Sequence, residues 1–241
     1  MLARILESEV MDTASEASDY NSMDHSTVNR NFVDDLLAAA AASSQPTAKP
    51  WLIFDAGTGT ALIPLELMSR SITATITASD LAEQMLIVAR ANVRAAGLAD
   101  SIRLILSDCK QLPDGNDTYD IVMSNSIVHH IPEPLAVLKE LWRVLKPGGL
   151  LFVRDLMRPA DLLTLDSLVQ TYASDANSHQ QQMFRDSLHS ALTVGEVSDL
   201  LATLGIRPDA AHVTSDRHWT IETQKRATRP SSFCICLWPS V

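Results

Sequence analysis

The residues with the clearest capacity for chemistry lie in the stretch Phe54–Leu62, FDAGTGTAL, directly behind the apolar run WLIF. Asp55 stands one residue ahead of Gly57-Thr58-Gly59, and glycines so spaced after a buried strand make a turn whose backbone can approach a ligand closely. Two common ligands of such turns are excluded. A dinucleotide turn of the form GxGxxG needs its third glycine at position 62, which is Leu62, and a phosphate-binding loop needs a Gly-Lys-Ser/Thr that does not follow. A carboxylate beside the turn suits a ligand without a pyrophosphate, and favours one that carries an ammonium and a sulfonium. S-adenosylmethionine (SAM) is such a ligand.

An alternation of strands and helices must position this turn. WLIFDA is short and apolar, LIPLELMSR is helical, ITATITASD is rich in β-branched residues, and LAEQMLIVARANVRAAGL is an amphipathic helix closed by Gly97. The strands IRLILSD and YDIVMSN follow, then the helix PLAVLKELWRVLK, a turn at Pro147-Gly148-Gly149 and the strand LLFVRDL. Strands alternating with helices predict an α/β Rossmann-like fold, a mostly parallel, doubly wound sheet of seven strands with helices on both faces. AAHVTSD and HWTIETQ supply the last two strands, behind a helix with a capping box at Thr193 and Glu196 and a stop at Gly205.

Residues 1–45 precede any strand signal and read as an N-terminal helical cap segment, with SSQPTAKP as a linker into a domain over 46–241. Residues 156–192 interrupt the alternation with polar helical sequence, as an insertion forming a lid over the site would. The tail FCICLW is an apolar strand without an assigned partner.

Composition narrows the function. Nineteen basic against 29 acidic residues give a formal charge of −10, a poor match to nucleic acid or to anionic membrane surfaces. No apolar run approaches the ~20 residues of a membrane span, and the N-terminus does not read as a signal peptide. Three cysteines, Cys109, Cys234 and Cys236, form no disulfide framework or zinc spacing. A reduced, cytoplasmic protein without a metal is expected, as a monomer or weak homodimer.

Several motifs in order, over about Trp51 to Val153, resemble the class I SAM-dependent methyltransferases: Asp55-Ala56-Gly57-Thr58-Gly59, Asp80 at the end of the second strand, SDCKQLP after the third, YDIVMSNSIVHHI at the fourth, and LKPGG before the fifth. The resemblance is to the quinone and natural-product branch. It implies that Asp80, with Leu81 beside it, accepts the ribose hydroxyls, that Asp108 meets the adenine amino group, and that the Cys109 backbone contacts the ring. Ser124 and Asn125, at the fourth strand's end, then lie beside the methionine half. In similar enzymes a segment ahead of the first strand closes over the cofactor, which makes Tyr20 and His25 candidates. The main departure is Ala61, where many members have glycine; its φ is expected to be negative.

Methyl transfer is a displacement at a carbon already activated by the sulfonium, so a base is required only if the nucleophile must lose a proton. His129 and His130 are candidates, or else structural; His130 is placed first. Asp155, at the tip of the fifth strand between Arg154 and Arg158, belongs either to an ion-pair network or to the substrate site. Arg217, His218 and Trp219 read as a strand with Trp219 in the core. The lid offers Tyr172, Met183 and Phe184 as walls of an acceptor pocket. The expected acceptor is a small molecule rather than nucleic acid, its identity and the methylated atom left open. A SAM-binding protein without turnover and a methyltransferase acting on a macromolecule remain as alternatives. The latter lacks the Asn-Pro-Pro-Tyr-like tetrad of amino-group nucleic-acid methylation, having Ser124-Asn125-Ser126-Ile127 instead.

Overall fold

The computed structural model describes residues 2–8, 10, 12–43 and 50–226. Two helices come first, α1 (Ala14–Ser22) and α2 (Ser26–Ala42). Thr13 caps α1 in a reciprocal box with Glu16. Then follow β1 (Trp51–Ala56), α3 (Leu62–Met68), β2 (Ala74–Asp80), α4 (Glu83–Ala95), β3 (Ile102–Leu106), β4 (Tyr119–Asn125), α5 (Pro134–Val144) and β5 (Leu145–Leu156). Helices α6 (Leu162–Ala173) and α7 (Ser178–Ser190) form the insertion, and α8 (Val194–Thr203), β6 (Ala211–Val213) and β7 (His218–Gln224) complete the described fold. The capping box at Thr193 and Glu196 is present at α8, and Gly205 follows with φ +71°.

The seven strands are ordered β3-β2-β1-β4-β5-β7-β6. Pairing is parallel from β3 through β5, and β7 runs antiparallel to both β5 and β6. The order reverses between β1 and β4, the switch point beyond which open α/β sheets hold ligands at their carboxyl ends. Strand alternation distributes the core over both faces. Ile53 of β1 packs with Phe32, Val33 and Leu36 of α2 and with α3 and α4, whereas Phe54 and Ala56 pack with α5 and α8. Helix α2 is thus built into one face of the sheet, where Phe32 meets Phe152 edge-on at 5.2 Å.

Pro147-Gly148-Gly149 is not a turn ahead of a strand. α5 passes straight into β5, and the three residues bulge out of it: Tyr119 pairs with Leu145, while Ile121 pairs with Leu150. Gly149 is packed so closely there that a Cβ would lie 2.9 Å from Asp120 O. The insertion is helical as expected, and its apolar residues Leu165, Leu168, Val169 and Leu188 form a small core of their own with Leu156, Leu2 and Phe184. Cys234, Cys236 and FCICLW lie outside the described residues, as does most of the SSQPTAKP linker.

Candidate functional site

The turn after β1 takes its shape from two glycines and one strained alanine. Gly57 has φ +69°, and a Cβ on it would lie 2.0 Å from Ile127 Cγ2, so no other residue fits. Ala61 is fully buried and left-handed at φ +65°, contrary to the expectation of a negative φ. The loop fixes it: Ala61 N–H donates to Thr58 O at 2.9 Å, closing the turn that launches α3.

Two adjoining hollows open at the switch point. The larger, about 800 Å³ with its open mouth, is lined by Gly57, Gly59, Asp80, Leu81, Asp108, Cys109, Asn125 and His130, with Ile127 and Ile131. This size suits a nucleoside-containing ligand. Val10 and Tyr20 close it from the N-terminal segment. The smaller hollow continues past Tyr20, Gly57 and Asn125 to Asn29, Asp55 and Thr58. There the buried atoms Asp55 Oδ2, Thr58 Oγ1 and Asn125 Oδ1 have no hydrogen-bond partner among the described residues. Buried polar atoms are normally paired, and this group suits a small, highly polar ligand part that includes a cation. A third hollow lies at the opposite end of the sheet, around Trp142, Leu150 and Gln224.

Asp80 is held at its strand tip by two donors, Gly59 N–H at 2.7 Å and Ala82 N–H at 2.9 Å. Burial raises its pKa, an effect these backbone donors oppose. Burial drives the Asp55 carboxyl up to about 7, against the pull of the neighbouring Thr58 side chain and with Asp80 adding to the rise. Burial likewise pushes Tyr20 up to about 12 and the Cys109 thiol up to about 11, so both are neutral at physiological pH. Asp108 accepts from Lys110 N–H at 2.8 Å.

Ser124 is fully buried and donates to Ala56 O at 2.9 Å, bracing β4 against β1 rather than lining either hollow. His25 supports Tyr20 from behind: the rings stack at 4.4 Å, and His25 Nε2 lies 2.9 Å from Tyr20 O.

Beyond β4 a single 3-10 turn, Val128–His130, carries both histidines. His129 is buried and points away from the hollow, its Nδ1 bonded to Asp155 Oδ1 at 2.5 Å. Asp155 also accepts from Val128 N–H and Leu156 N–H. Burial opposes both charges, yet each holds the other: Asp155 stays below the usual carboxylate range and His129 above the usual imidazole range. Asp155 belongs to an ion pair, but with His129 rather than with the flanking arginines: Arg154 reaches Asp35 and Thr220, Arg158 reaches Glu196 and Ala191 O, and Asp155 is fully buried and lines neither hollow. Of the three acid–base candidates only His130 lines the larger hollow.

The lid contributes no wall to either hollow. Tyr172 lies at the surface, bonded to Asp216 and stacked under the Arg217 guanidinium at 3.4 Å, and Phe184 serves the lid's own core. Trp219 is in the sheet core as expected. What the sequence did not indicate is Glu7. Its Oε1 lies 3.1 Å from His130 Nδ1 and 3.5 Å from His129 Nε2, and Ser187 and Ser190 of α7 donate to its carboxylate. No local pattern marks Glu7; it is one of two acids in MLARILESEV.

The family described as "Methyltransferase domain" matches residues 54–153, from the start of the glycine turn to β5. A demethylmenaquinone methyltransferase of Protochlamydia amoebophila is 32% identical over 174 residues, covering 67% of this chain and 71% of that protein. The chain belongs to the class I SAM-dependent methyltransferases. A ubiquinone/menaquinone biosynthesis C-methyltransferase of Roseobacter denitrificans is 30% identical over 139 residues, 53% of this chain and 56% of that one. The chain thus spans little more than half of this second relative. Among solved structures, a SAM-dependent methyltransferase from Aquifex aeolicus superposes over 88% of this chain and 98% of its own with a TM-score of 0.63 at 19% identity, a likeness of fold. The cofactor of this methyltransferase is SAM, and no helix among its described residues is long and apolar enough to cross a membrane.

Proposed function

We propose that this methyltransferase acts on a small-molecule acceptor in the cytoplasm, as a monomer or weak homodimer, with residues 1–45 as a cap over the cofactor. The observation that carries the cofactor half is the junction of the two hollows, where orphaned Asp55, Thr58 and Asn125 atoms adjoin a cleft bounded by Asp80 and Asp108. In this reading Asp55 accepts the cofactor's ammonium, assisted by Thr58 and Asn125. Asp80 faces the ribose, Leu81 and the Cys109 backbone flank the adenine, and Asp108 accepts from its amino group. Gly57 and Gly59 let the chain approach. His25 acts through Tyr20, and Ser124 by bracing β4. The small-molecule acceptor is supported by the two relatives, whose names concern quinone biosynthesis, and by the charge of −10.

Bound SAM supplies an electrophilic methyl on a sulfonium, and transfer forms the acceptor–methyl bond as the carbon–sulfur bond breaks, leaving S-adenosylhomocysteine (SAH). The protein's part is alignment and exclusion of water. His130 takes the acceptor's proton where one must leave; His129 and Asp155 hold the turn that presents it. The test is calorimetric titration with SAM, SAH and NADH, followed by tritiated SAM with panels of quinols, phenols, amines, RNA and DNA. Micromolar binding of SAM and SAH without NADH, and label moving only to small molecules, is the expected result. Label in nucleic acid would overturn the acceptor class, and no SAM binding would overturn the site.

A further inference from the structure

We infer that Glu7 is the positioning carboxylate of His130, fixing which ring nitrogen faces the cleft. The inference rests on His130 as the base and identifies what would make it one.

His130 lines the cleft, yet its Nδ1 is shielded from solvent and lies 3.1 Å from Glu7 Oε1. The accessible edge of the ring is therefore the one that carries Nε2. At this distance the pair is within ion-pair reach but is not aligned as a hydrogen bond, a looseness common for catalytic groups before substrate binds. An imidazole whose Nδ1–H is given to a carboxylate carries its lone pair on Nε2, the nitrogen left for the cleft that His130 lines. Glu7 is itself held in place: Ser190 donates to Oε1 at 3.0 Å and Ser187 to Oε2 at 3.3 Å. Although burial works against its charge, His130, His129 and Ser190 keep the Glu7 carboxyl below its ordinary range, so it is an acceptor at neutral pH.

Arg4 anchors the same segment. Its guanidinium donates to Ser190 O, His129 O and Ile131 O, gripping both α7 and the turn that holds the histidines. Glu7 Oε1, His129 Nε2 and His130 Nδ1 also lie within 4.8 Å of one another, a set that divalent metals accept. The bonding decides against that use: His129 already gives Nδ1 to Asp155, so a metal would have to take Nε2 in place of its proton and discharge the imidazolium that Asp155 and Glu7 stabilise, close to the Arg4 guanidinium.

The test reads tautomers, not turnover. Long-range nitrogen–proton correlation spectra of the full chain with SAH bound, at a pH where His130 is neutral, identify its protonated nitrogen. The His130→Ala spectrum assigns the signal. The expected result is His130 predominantly protonated at Nδ1, with that tautomer falling about tenfold relative to the other in Glu7→Ala, the size of a hydrogen bond to a charged group. Glu7→Gln, which keeps one acceptor oxygen for His130 and Ser190 without the charge and turns the Ser187 contact into one that its amide N–H donates, should lie between. Unchanged SAH affinity shows that the variants are folded; if Glu7→Ala is not, Glu7→Gln carries the test. A His130 protonated at Nε2 in the wild type, or a tautomer indifferent to Glu7, would overturn the inference. So would stoichiometric zinc retained through dialysis, since the metal would take the Nδ1 lone pair. The base reading fails separately, if His130→Ala transfers methyl to an acceptor found in the panel as fast as the wild type.

Discussion

The buried carboxyl of Asp55 makes cofactor affinity depend on pH in a calculable way. With a pKa of about 7 in the ligand-free protein, about three in four molecules carry the carboxylate at pH 7.5 and about one in eleven at pH 6. An ammonium seated against it favours the charged form and draws the pKa down. Binding at pH 6 must then release a proton, and the dissociation constant should rise about eightfold from pH 7.5 to pH 6, roughly 1.2 kcal/mol. The same shift has the opposite sign for folding. Folded Asp55 keeps a proton that the unfolded chain has lost above about pH 4, so the ligand-free protein loses stability as pH rises from there through 7.

The assay is calorimetric titration with SAH at pH 6 and pH 7.5, each in two buffers of different ionisation enthalpy, which counts protons released per site. The count should approach one at pH 6 and fall well below one-half at pH 7.5. Asp80 is raised as well and adds to the acid limb, so the assignment rests on Asp55→Asn, which should bind more weakly but with a flatter profile. An affinity constant to within twofold over this range, without proton release, would refute a protonated Asp55 in the ligand-free protein at pH 6; affinity unchanged in Asp55→Asn would remove Asp55 from the ammonium.

Three further predictions follow from single contacts. Asp80→Ala should weaken SAH binding by ~1–3 kcal/mol, the value of charge-assisted hydrogen bonds; unchanged affinity by calorimetry would remove Asp80 from the ribose. Asp155→Ala leaves the buried His129 without its partner and should lower stability by ~3–5 kcal/mol in urea denaturation. That stabilisation should be greatest between about pH 4 and 6.5: Asp155, held low, loses its part as pH falls through its depressed pKa, and His129, held high, loses its part as pH rises through its raised one. Ala61→Gly relieves a left-handed alanine worth ~1–2 kcal/mol while losing a buried methyl of ~0.8 kcal/mol and gaining unfolded-state entropy of ~0.4–1 kcal/mol. Its denaturation midpoint should hardly move, and a loss above ~2 kcal/mol would mean that methyl packing governs the turn.

The sheet and the cofactor half were legible because their signals are local. Each strand announced itself by apolar or β-branched runs, and Asp55, Gly57, Gly59, Asp80, Asp108 and Asn125 all sit at the carboxyl ends of those strands or in the turns that follow. Two misreadings had different causes. The Cβ of Ala61 argues for a negative φ, whereas its φ is set by the hydrogen bond from its N–H to Thr58 O. The arginines near Asp155 in sequence suggest its partners, although neighbours in a strand face opposite sides of a sheet. Arg154 accordingly stacks near Phe32 and Phe152 on one face while Asp155 meets His129 on the other. Alternation alone would have separated them.

The polar helical sequence of residues 156–192 points to a lid over the site, but its polar groups are turned to another task. Ser187 and Ser190 hold Glu7, His189 O accepts from Ile5 N–H, and Ser190 O accepts from Arg4. Residues 2–8 form no regular element, so they have no ladder of their own, and most of the contacts that order them come from α7, the 128–130 turn and Ala160 O. A segment held in this way opens more easily than the sheet it lies against. The α6–α7 insertion thus touches residues 2–8, and these carry Glu7 to His130 on the cleft wall. Such a chain of contacts joins residues more than 120 positions apart, which is why no motif or period in the sequence revealed it.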